Sequence, residues 1–173
     1  VKTKRENIKI RVAVPEDAMT ISILLYEAFN EYKSLYTEKA FAATLLGIPK
    51  IEERIYNRTT WIALYDNVIS GTISLMNSNG SLYIRSVAVA PPAQRKGLGK
   101  ALMKHAESEA LKKGFQQLEL TTTPFLFEAI RLYESLGFEP CGSEDLYGTP
   151  LIKMTKILKP AVSVINKNNT ALQ

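Results

Sequence analysis

The sequence holds one cysteine, Cys141, and one histidine, His105. A lone cysteine excludes an internal disulfide and a cysteine-cluster metal site, and a lone histidine excludes a histidine-rich one. No run of about 18 apolar residues is present, so no helical membrane span is expected. Nor does an apolar stretch with basic flanks open the chain as a secretory leader does, and the expected location is cytoplasmic. Internal repeats and low-complexity tracts are also missing, apart from the polar end Asn166-Lys-Asn-Asn-Thr-Ala-Leu-Gln173. What is in excess is positive charge: 22 Lys and Arg against 17 Asp and Glu give +5 over 173 residues. Much of it is local, since Arg95 to Lys113 holds six basic residues against only Glu107 and Glu109. Such a patch suits phosphate, but no basic and aromatic residues alternate along one stripe as a nucleic-acid surface requires.

The length fits one domain with a core of two or three layers, taken as residues 1–158, followed by a tail over 159–173 that is expected to fray. Alternation over Ile8 to Val14 predicts a strand with one wet face, carrying Ile8, Ile10, Val12 and Val14 on one side. A helix follows over about 18–30, capped by Asp17 or Thr20, with Ile21, Leu24, Leu25, Ala28 and Phe29 as its buried stripe. The helical region 37–56 is broken by Gly47-Ile48-Pro49. Three strands, 61–65, 68–75 and 82–90, form a meander turning at Asp66-Asn67 and at Asn77-Ser-Asn-Gly80.

A long helix over 97–113 leads to a strand over 117–121, and a strand-helix-strand crossover implies that this strand lies parallel to 82–90. A helix over about 125–136 then stops at Gly137, a strand from Phe138 is interrupted at Pro140 and Gly142, and 151–157 is the last strand. These elements define an α/β fold of mixed type: one mostly antiparallel sheet of six or seven strands with helices on both faces.

The stretch Gln94-Arg-Lys-Gly-Leu-Gly-Lys100 lies between strand and helix, where free N–H groups, small residues and basic side chains make a cradle for phosphate. It is not a dinucleotide fingerprint, because the third glycine would fall at Leu102. Nor is it a nucleoside-triphosphate loop, because one residue separates Gly97 from Gly99 and Ala101 follows Lys100. By itself a Gly-x-Gly pair also suits an ordinary tight turn.

The run Val87-Ala-Val-Ala-Pro-Pro-Ala-Gln-Arg-Lys-Gly-Leu-Gly99 resembles the acetyl-coenzyme-A motif of the GCN5-related N-acetyltransferase (GNAT) family. Ala129-Ile-Arg-Leu-Tyr-Glu-Ser-Leu-Gly-Phe138 resembles that family's second element, and the opening Arg11-Val-Ala-Val-Pro-Glu-Asp17 is similar to its start. The resemblance covers about residues 8–157. It implies acetyl-coenzyme A as cofactor, held by main-chain groups of Val87, Ala88 and Val89 and by the turn Gln94, Arg95, Lys96, Gly97, Leu98, Gly99 and Lys100. It also implies transfer of the acetyl group to a small-molecule or peptide amine, by direct attack in a ternary complex.

Tyr133 matches the family's usual general acid to the departing thiolate; by helical pattern alone it belongs to a buried stripe with Ala129, Ile130, Leu132 and Leu136. The family often has a glutamate early on the strand matching 82–90, where this chain has about Tyr83 and no carboxylate. Water acting through Tyr83, Ser86 or a main-chain carbonyl is therefore the expected route for the amine proton. Glu119 is a candidate if its side of the strand meets the cleft. Leu126 stands where relatives often have Asn. For the acceptor, Glu27, Glu31, Tyr32 and Tyr36 offer an acidic and aromatic patch, although a polar helix end explains the same residues. Arg85 would favour an acceptor with a carboxylate if it faces the cleft, and strand alternation lets only one of Arg85 and Ser86 do so. No metal is expected. Homodimers are common in the family, with the last strand and its tail as a natural interface. The missing strand carboxylate also suits a catalytically silent, coenzyme-A-binding regulatory module.

Overall fold

The computed structural model describes residues 7–159, so the tail reading over 160–173 lies outside the described residues. Seven strands form one sheet in the order β1-β2-β3-β4-β5-β7-β6. In chain order they are β1 Ile8–Val12, β2 Thr60–Tyr65, β3 Val68–Ser78, β4 Ser81–Val89, β5 Gln117–Thr122, β6 Glu139–Leu146 and β7 Thr149–Ile157. Only β4 and β5 run parallel; every other neighbouring pair is antiparallel. The helices are α1 Ala18–Phe29, α2 Glu38–Leu45, α3 Ile48–Tyr56, α4 Leu98–Lys112 and α5 Phe127–Ser135.

Local chemistry explains the turns. Asp66 and Asn67 both take positive φ (48° and 67°), as do Asn79 and Gly80 (49° and 86°) and Tyr147 and Gly148 (49° and 86°). Two successive left-handed residues give the hairpin twist that matches the strands on either side. The break in the second helical region falls where proline and glycine place it: Gly47 precedes α3 and Pro49 occupies its first turn, where its missing N–H is no loss. The strand from Phe138 is not interrupted, as the sequence suggested. It runs through Pro140 and Gly142 by a register shift between them, at an edge where a proline costs no ladder bond.

The first strand stops at Val12, before Val14, which is 40% exposed while Ala13 is buried. Asp17 causes the change of direction. It does not cap α1; its carboxylate accepts from Val14 N–H at 2.8 Å and takes a two-pronged ion pair from Arg11 Nη1 (2.7 Å) and Nη2 (3.0 Å). Burial alone would raise the Asp17 pKa, but Arg11 and the Val14 N–H outweigh it and hold the carboxyl below its usual range. A lowered carboxylate pKa adds stability that is present above the unfolded pKa and lost as pH falls through the folded one. Asp17→Asn is accordingly expected to lower unfolding stability by about 2 kcal/mol at neutral pH, with the deficit shrinking towards pH 3; urea titrations of both proteins across that range measure it.

The sheet is covered on both faces. On one, α4 and α5 bury Leu98, Leu102, Met103 and Tyr133 against Leu82, Ile84, Leu118 and Leu120. On the other, α1 and α3 bury Ile21, Leu24, Leu25, Ile51 and Ile55 against Ile62 and Ala88. A third cluster, Tyr36, Ala40 and Phe41 with Phe125 and Leu146, ties α2 to the start of α5 and to β6. Thr37 anchors that cluster: its hydroxyl accepts from Ala40 N–H at the start of α2 and donates to Tyr147 O at 2.8 Å, and its own N–H reaches Thr149 Oγ1 at 3.0 Å. Trp61 is buried in strand core, with His105 at the boundary beside it, ring centroids 5.3 Å apart. Among the described residues no helix is long and apolar enough to cross a membrane.

Candidate active site

The parallel pair at the middle of the sheet is a fork. β4 and β5 are paired at Leu82/Leu118, Tyr83/Glu119 and Ile84/Leu120, and pairing stops there. Above Ile84, β4 stays on β3 as far as Val89, so its other edge, 85–89, opens onto a cavity of about 800 Å³ faced by Thr121, Thr122 and Thr123. At the crotch, the Tyr83 and Thr121 hydroxyls share a hydrogen bond of 2.6 Å. Main-chain groups on an unpaired strand edge demand a partner.

A bulge in β4 drives the divergence. Thr72 pairs with Ala88 but Ser74 with Arg85, so two residues, Ser86 and Val87, oppose Ile73 alone. Ser86 has φ of 52°, costly for a non-glycine residue, and its hydroxyl accepts from Arg54 Nη1 at 2.9 Å. Before the bulge the even residues Leu82 and Ile84 face the α4/α5 core, whereas after it the odd residues Val87 and Val89 pack there. The expectation that only one of Arg85 and Ser86 faces the cleft therefore fails. The extra residue interrupts the alternation, and both line the cavity.

The mouth of the cavity is the turn before α4. Pro91–Ala93 forms a short 3-10 turn, Gln94 Nε2 donates back to Val89 O at 3.2 Å, and Arg95 and Gly97 adopt positive φ of 61° and 84°. The first bond of the helix runs from Ala101 N–H to Gly97 O at 2.9 Å. The N–H groups of Leu98, Gly99 and Lys100 therefore project from the helix end without an acceptor in its own ladder. Gly99 has a second reason to lack a side chain, because a Cβ there would stand 3.0 Å from Leu132 Cδ2 on α5. Val87, Ala88, Val89, Gln94, Arg95, Gly97, Leu98 and Gly99 all line the cavity. Two basic side chains proposed for the same task do not. Lys96 Nζ lies 4.7 Å over the Tyr65 ring, a cation-π contact that draws it aside, and Lys100 is exposed outside the lining. Arg95 reaches across to Glu128 at 3.8 Å; both side chains are exposed, so the pair is weak and open to competition from an anion.

Tyr133 lies in the cavity wall on α5 and is 7% exposed. Burial, with a smaller contribution from Tyr36, pushes its phenol up to about 12. Tyr36 is also raised by burial, against the pull of Thr123 and Thr44, and Tyr32 by burial and by Glu31. All three of these phenols line the same cavity and keep their protons at neutral pH. Of the stripe expected on α5 only Tyr133 is fully buried; Ala129, Ile130, Leu132 and Leu136 are half-buried, since the cavity takes the place of core on that side.

Glu119 shares a face with Tyr83 but sits below the fork, outside the cavity lining, with its Oε1 accepting from Gln117 Nε2 at 2.8 Å. This side chain is therefore not presented to the cleft. Of the acceptor patch, Tyr32, Tyr36 and Arg85 line the cavity, whereas Glu27 borders a separate shallow groove with Tyr26 and Leu45, and Glu31 lines neither. Cys141 is exposed on the edge strand. The sequence reading missed Arg54. It follows Ile51 by three residues and precedes Ile55 on the buried stripe of α3, and an arginine in that stripe was the available sign. No described group of His, Cys, Asp and Glu is placed to hold a metal ion.

A seven-stranded mixed sheet opened at its one parallel pair, with an N–H-rich helix start at the mouth, defines a cleft for an extended ligand with an anionic head. The acetyltransferase (GNAT) family model matches residues 22–138, more than half of the chain, and the chain belongs to that family. Among curated proteins it is similar to the uncharacterised N-acetyltransferase YjgM of Escherichia coli K12, 29% identical over 133 residues, covering 72% of this chain and 77% of the relative. A shorter match, 47% identical over 53 residues, links it to the ribosomal protein bS18-alanine N-acetyltransferase of the same organism, over 31% of this chain and 36% of that one. The PaiA N-acetyltransferase of Thermoplasma acidophilum, solved in complex with coenzyme A, superposes with a TM-score of 0.75 at 23% identity, over 87% of this chain and 99% of that one.

Proposed function

We propose that the protein transfers an acetyl group from acetyl-coenzyme A to a primary amine. The observation that carries this reading is the fork: an unpaired β4 edge running from the N–H groups of Leu98, Gly99 and Lys100 down to a buried, protonated tyrosine. These residues fit the donor. The bare edge over Val87, Ala88 and Val89 suits an amide-containing arm as a further strand would, and the helix start with Arg95 suits its pyrophosphate. Bound there, acetyl-coenzyme A supplies a thioester carbonyl open to attack.

Each remaining role falls to groups of this chain. Tyr133 holds its proton at the hydroxyl and delivers it to the departing sulfur, which a phenol kept protonated by burial can do at any physiological pH. The amine proton leaves to solvent next to the Tyr83–Thr121 pair, because Glu119 is turned to Gln117 and no carboxylate lies on β4. Tyr32 and Tyr36 supply an aromatic wall against which an ammonium group can rest before it loses that proton.

Coenzyme A release from acetyl-coenzyme A, measured over a panel of small amines and amino-terminal peptides, tests the reading. At least one amine should be turned over; tight coenzyme A binding with no turnover of any amine would instead identify a silent binding module. The pH dependence has a defined sign. Tyr133 is competent below its pKa and fails above it, so kcat should rise with the neutral fraction of the amine and show no alkaline fall until pH approaches 12. A fall centred near the ordinary tyrosine value of about 10 would contradict the buried acid.

A further inference from the structure

We infer that the acceptor carries a carboxylate beside its amine, as a free amino acid does, and that Arg54 and Arg85 hold that carboxylate at the β4 bulge. The inference rests on the transferase reading and narrows its substrate class. Arg54 is 7% exposed and lines the cavity. Its Nη1 donates to Ser86 Oγ at 2.9 Å, but Nε is buried without a hydrogen-bond partner. No described carboxylate lies within ion-pair distance of Arg54. Its chain neighbour Glu53 is held by Lys50 at 2.8 Å. Of the two charges that act on it, the one of the same sign prevails: Arg85 adds to the burial that already disfavours the Arg54 cation, and Glu53 offsets less than this. Arg85 meets only Met76 Sδ at 3.0 Å and the Tyr83 ring at 5.8 Å.

Two guanidiniums with no anion between them, one of them buried, are unfavourable unless a ligand supplies the anion. Pinning Ser86 in its left-handed conformation accounts for one of the five Arg54 donors and for none of its charge. The other acidic residues of the cavity do not answer either. Glu144 is held by Lys153 at 3.1 Å, Asp145 accepts from Gly148 N–H at 2.8 Å, and Glu128 faces Arg95 at the mouth. Nor are the donor's phosphates the missing anion. From Arg85 to Val89 the bulged β4 advances only as far as Ser74 to Gly71 on β3, about 10 Å, and the turn with the free N–H groups follows beyond Val89, so the arginine pair lies at the reacting end of the cleft. A planar carboxylate accepting from both guanidiniums there would hold an α-amine near the crotch of the fork.

Matched acceptors test this: free amino acids against their carboxamides, glycine against glycinamide first, with kcat/KM referred to the neutral amine. The acids should be preferred by at least about tenfold, the discrimination that one charge-assisted pair supports. That ratio should fall towards one in Arg85→Gln and Arg54→Gln and be partly kept in Arg54→Lys. Calorimetric Kd for coenzyme A, measured on each variant, should shift by less than about threefold, well below tenfold. Amides acetylated as well as acids, or a ratio that neither arginine moves, overturns the inference and leaves the transferase standing. Coenzyme A affinity that falls by the same factor as the ratio also overturns it, since the arginines then serve the donor. Acetylation of no amine of either kind overturns the transferase reading, and this inference with it. Should Arg54→Gln fail to fold, Arg85→Gln, at an exposed side chain, still decides.

Discussion

Tyr133→Phe should lower kcat by about a hundredfold, the ordinary scale for loss of one positioned acid, while coenzyme A affinity stays within about twofold. The asymmetry follows from how the residue is built in. The ring packs beside Phe138, with centroids 6.0 Å apart, inside the core shared by α4, α5 and the sheet, and phenylalanine keeps all of that contact. Only the hydroxyl is lost, and no described residue hydrogen-bonds to it, so its removal strands no buried partner. Stability should therefore be nearly unchanged, which separates a catalytic loss from a folding one. Single-turnover acetyl transfer with calorimetry on the same preparation measures both quantities. An unchanged rate would remove Tyr133 as the acid.

Gly99→Trp is expected to weaken coenzyme A binding by more than about a hundredfold, or 2.7 kcal/mol and above, in a protein that remains folded. Gly99 is the second residue of α4 and lines the mouth of the cavity. Even a methyl group there meets Leu132 Cδ2 at 3.0 Å, and an indole has no course except into the mouth, over the N–H groups that the pyrophosphate needs. Gly99→Ala makes the graded control: the Leu132 terminus can yield a few tenths of an ångström, so a loss of less than about tenfold is expected. Circular dichroism and the unfolding midpoint establish that both variants fold. Undiminished affinity in Gly99→Trp would place the donor elsewhere.

Most of the architecture was legible because it depends on local chemistry. Asp66-Asn67 reads as a hairpin turn since both residues tolerate positive φ, and Pro49 with Gly47 fixes where one helix ends and the next begins. The parallel pairing of β4 and β5 follows from a crossover that no hairpin can make. The bulge was hidden because Leu82 to Ala90 is almost continuously apolar, so one extra residue leaves no mark on the pattern. Its loss from view also cost the facing of Arg85 and Ser86. Lys96 shows a different limit. Its backbone position in the phosphate turn was readable, but its side chain is claimed by Tyr65, which lies on a strand some thirty positions earlier. Arg54 was passed over since charge on a helix ordinarily means solvent; only the tertiary fold puts that helix face against the bulge.

The bulge at Ser86 works as a change of reading frame within a strand. Upstream of it, even-numbered side chains belong to the α4/α5 layer; downstream, odd-numbered ones do, and Ala88 passes to the opposite layer with α1 and α3. A chain lacking Ser86 would restore unbroken alternation from Leu82 onward with every layer assignment kept: Val87 and Val89 would stay with Leu82 and Ile84 on the α4/α5 side, and Ala88 on the other. The core on either side therefore does not need the extra residue; its removal would cost the break between Arg85 and Val87, and with it the Ser86 hydroxyl that accepts from Arg54. A single inserted residue thus adds a site to the strand without disturbing the two layers that the strand holds together.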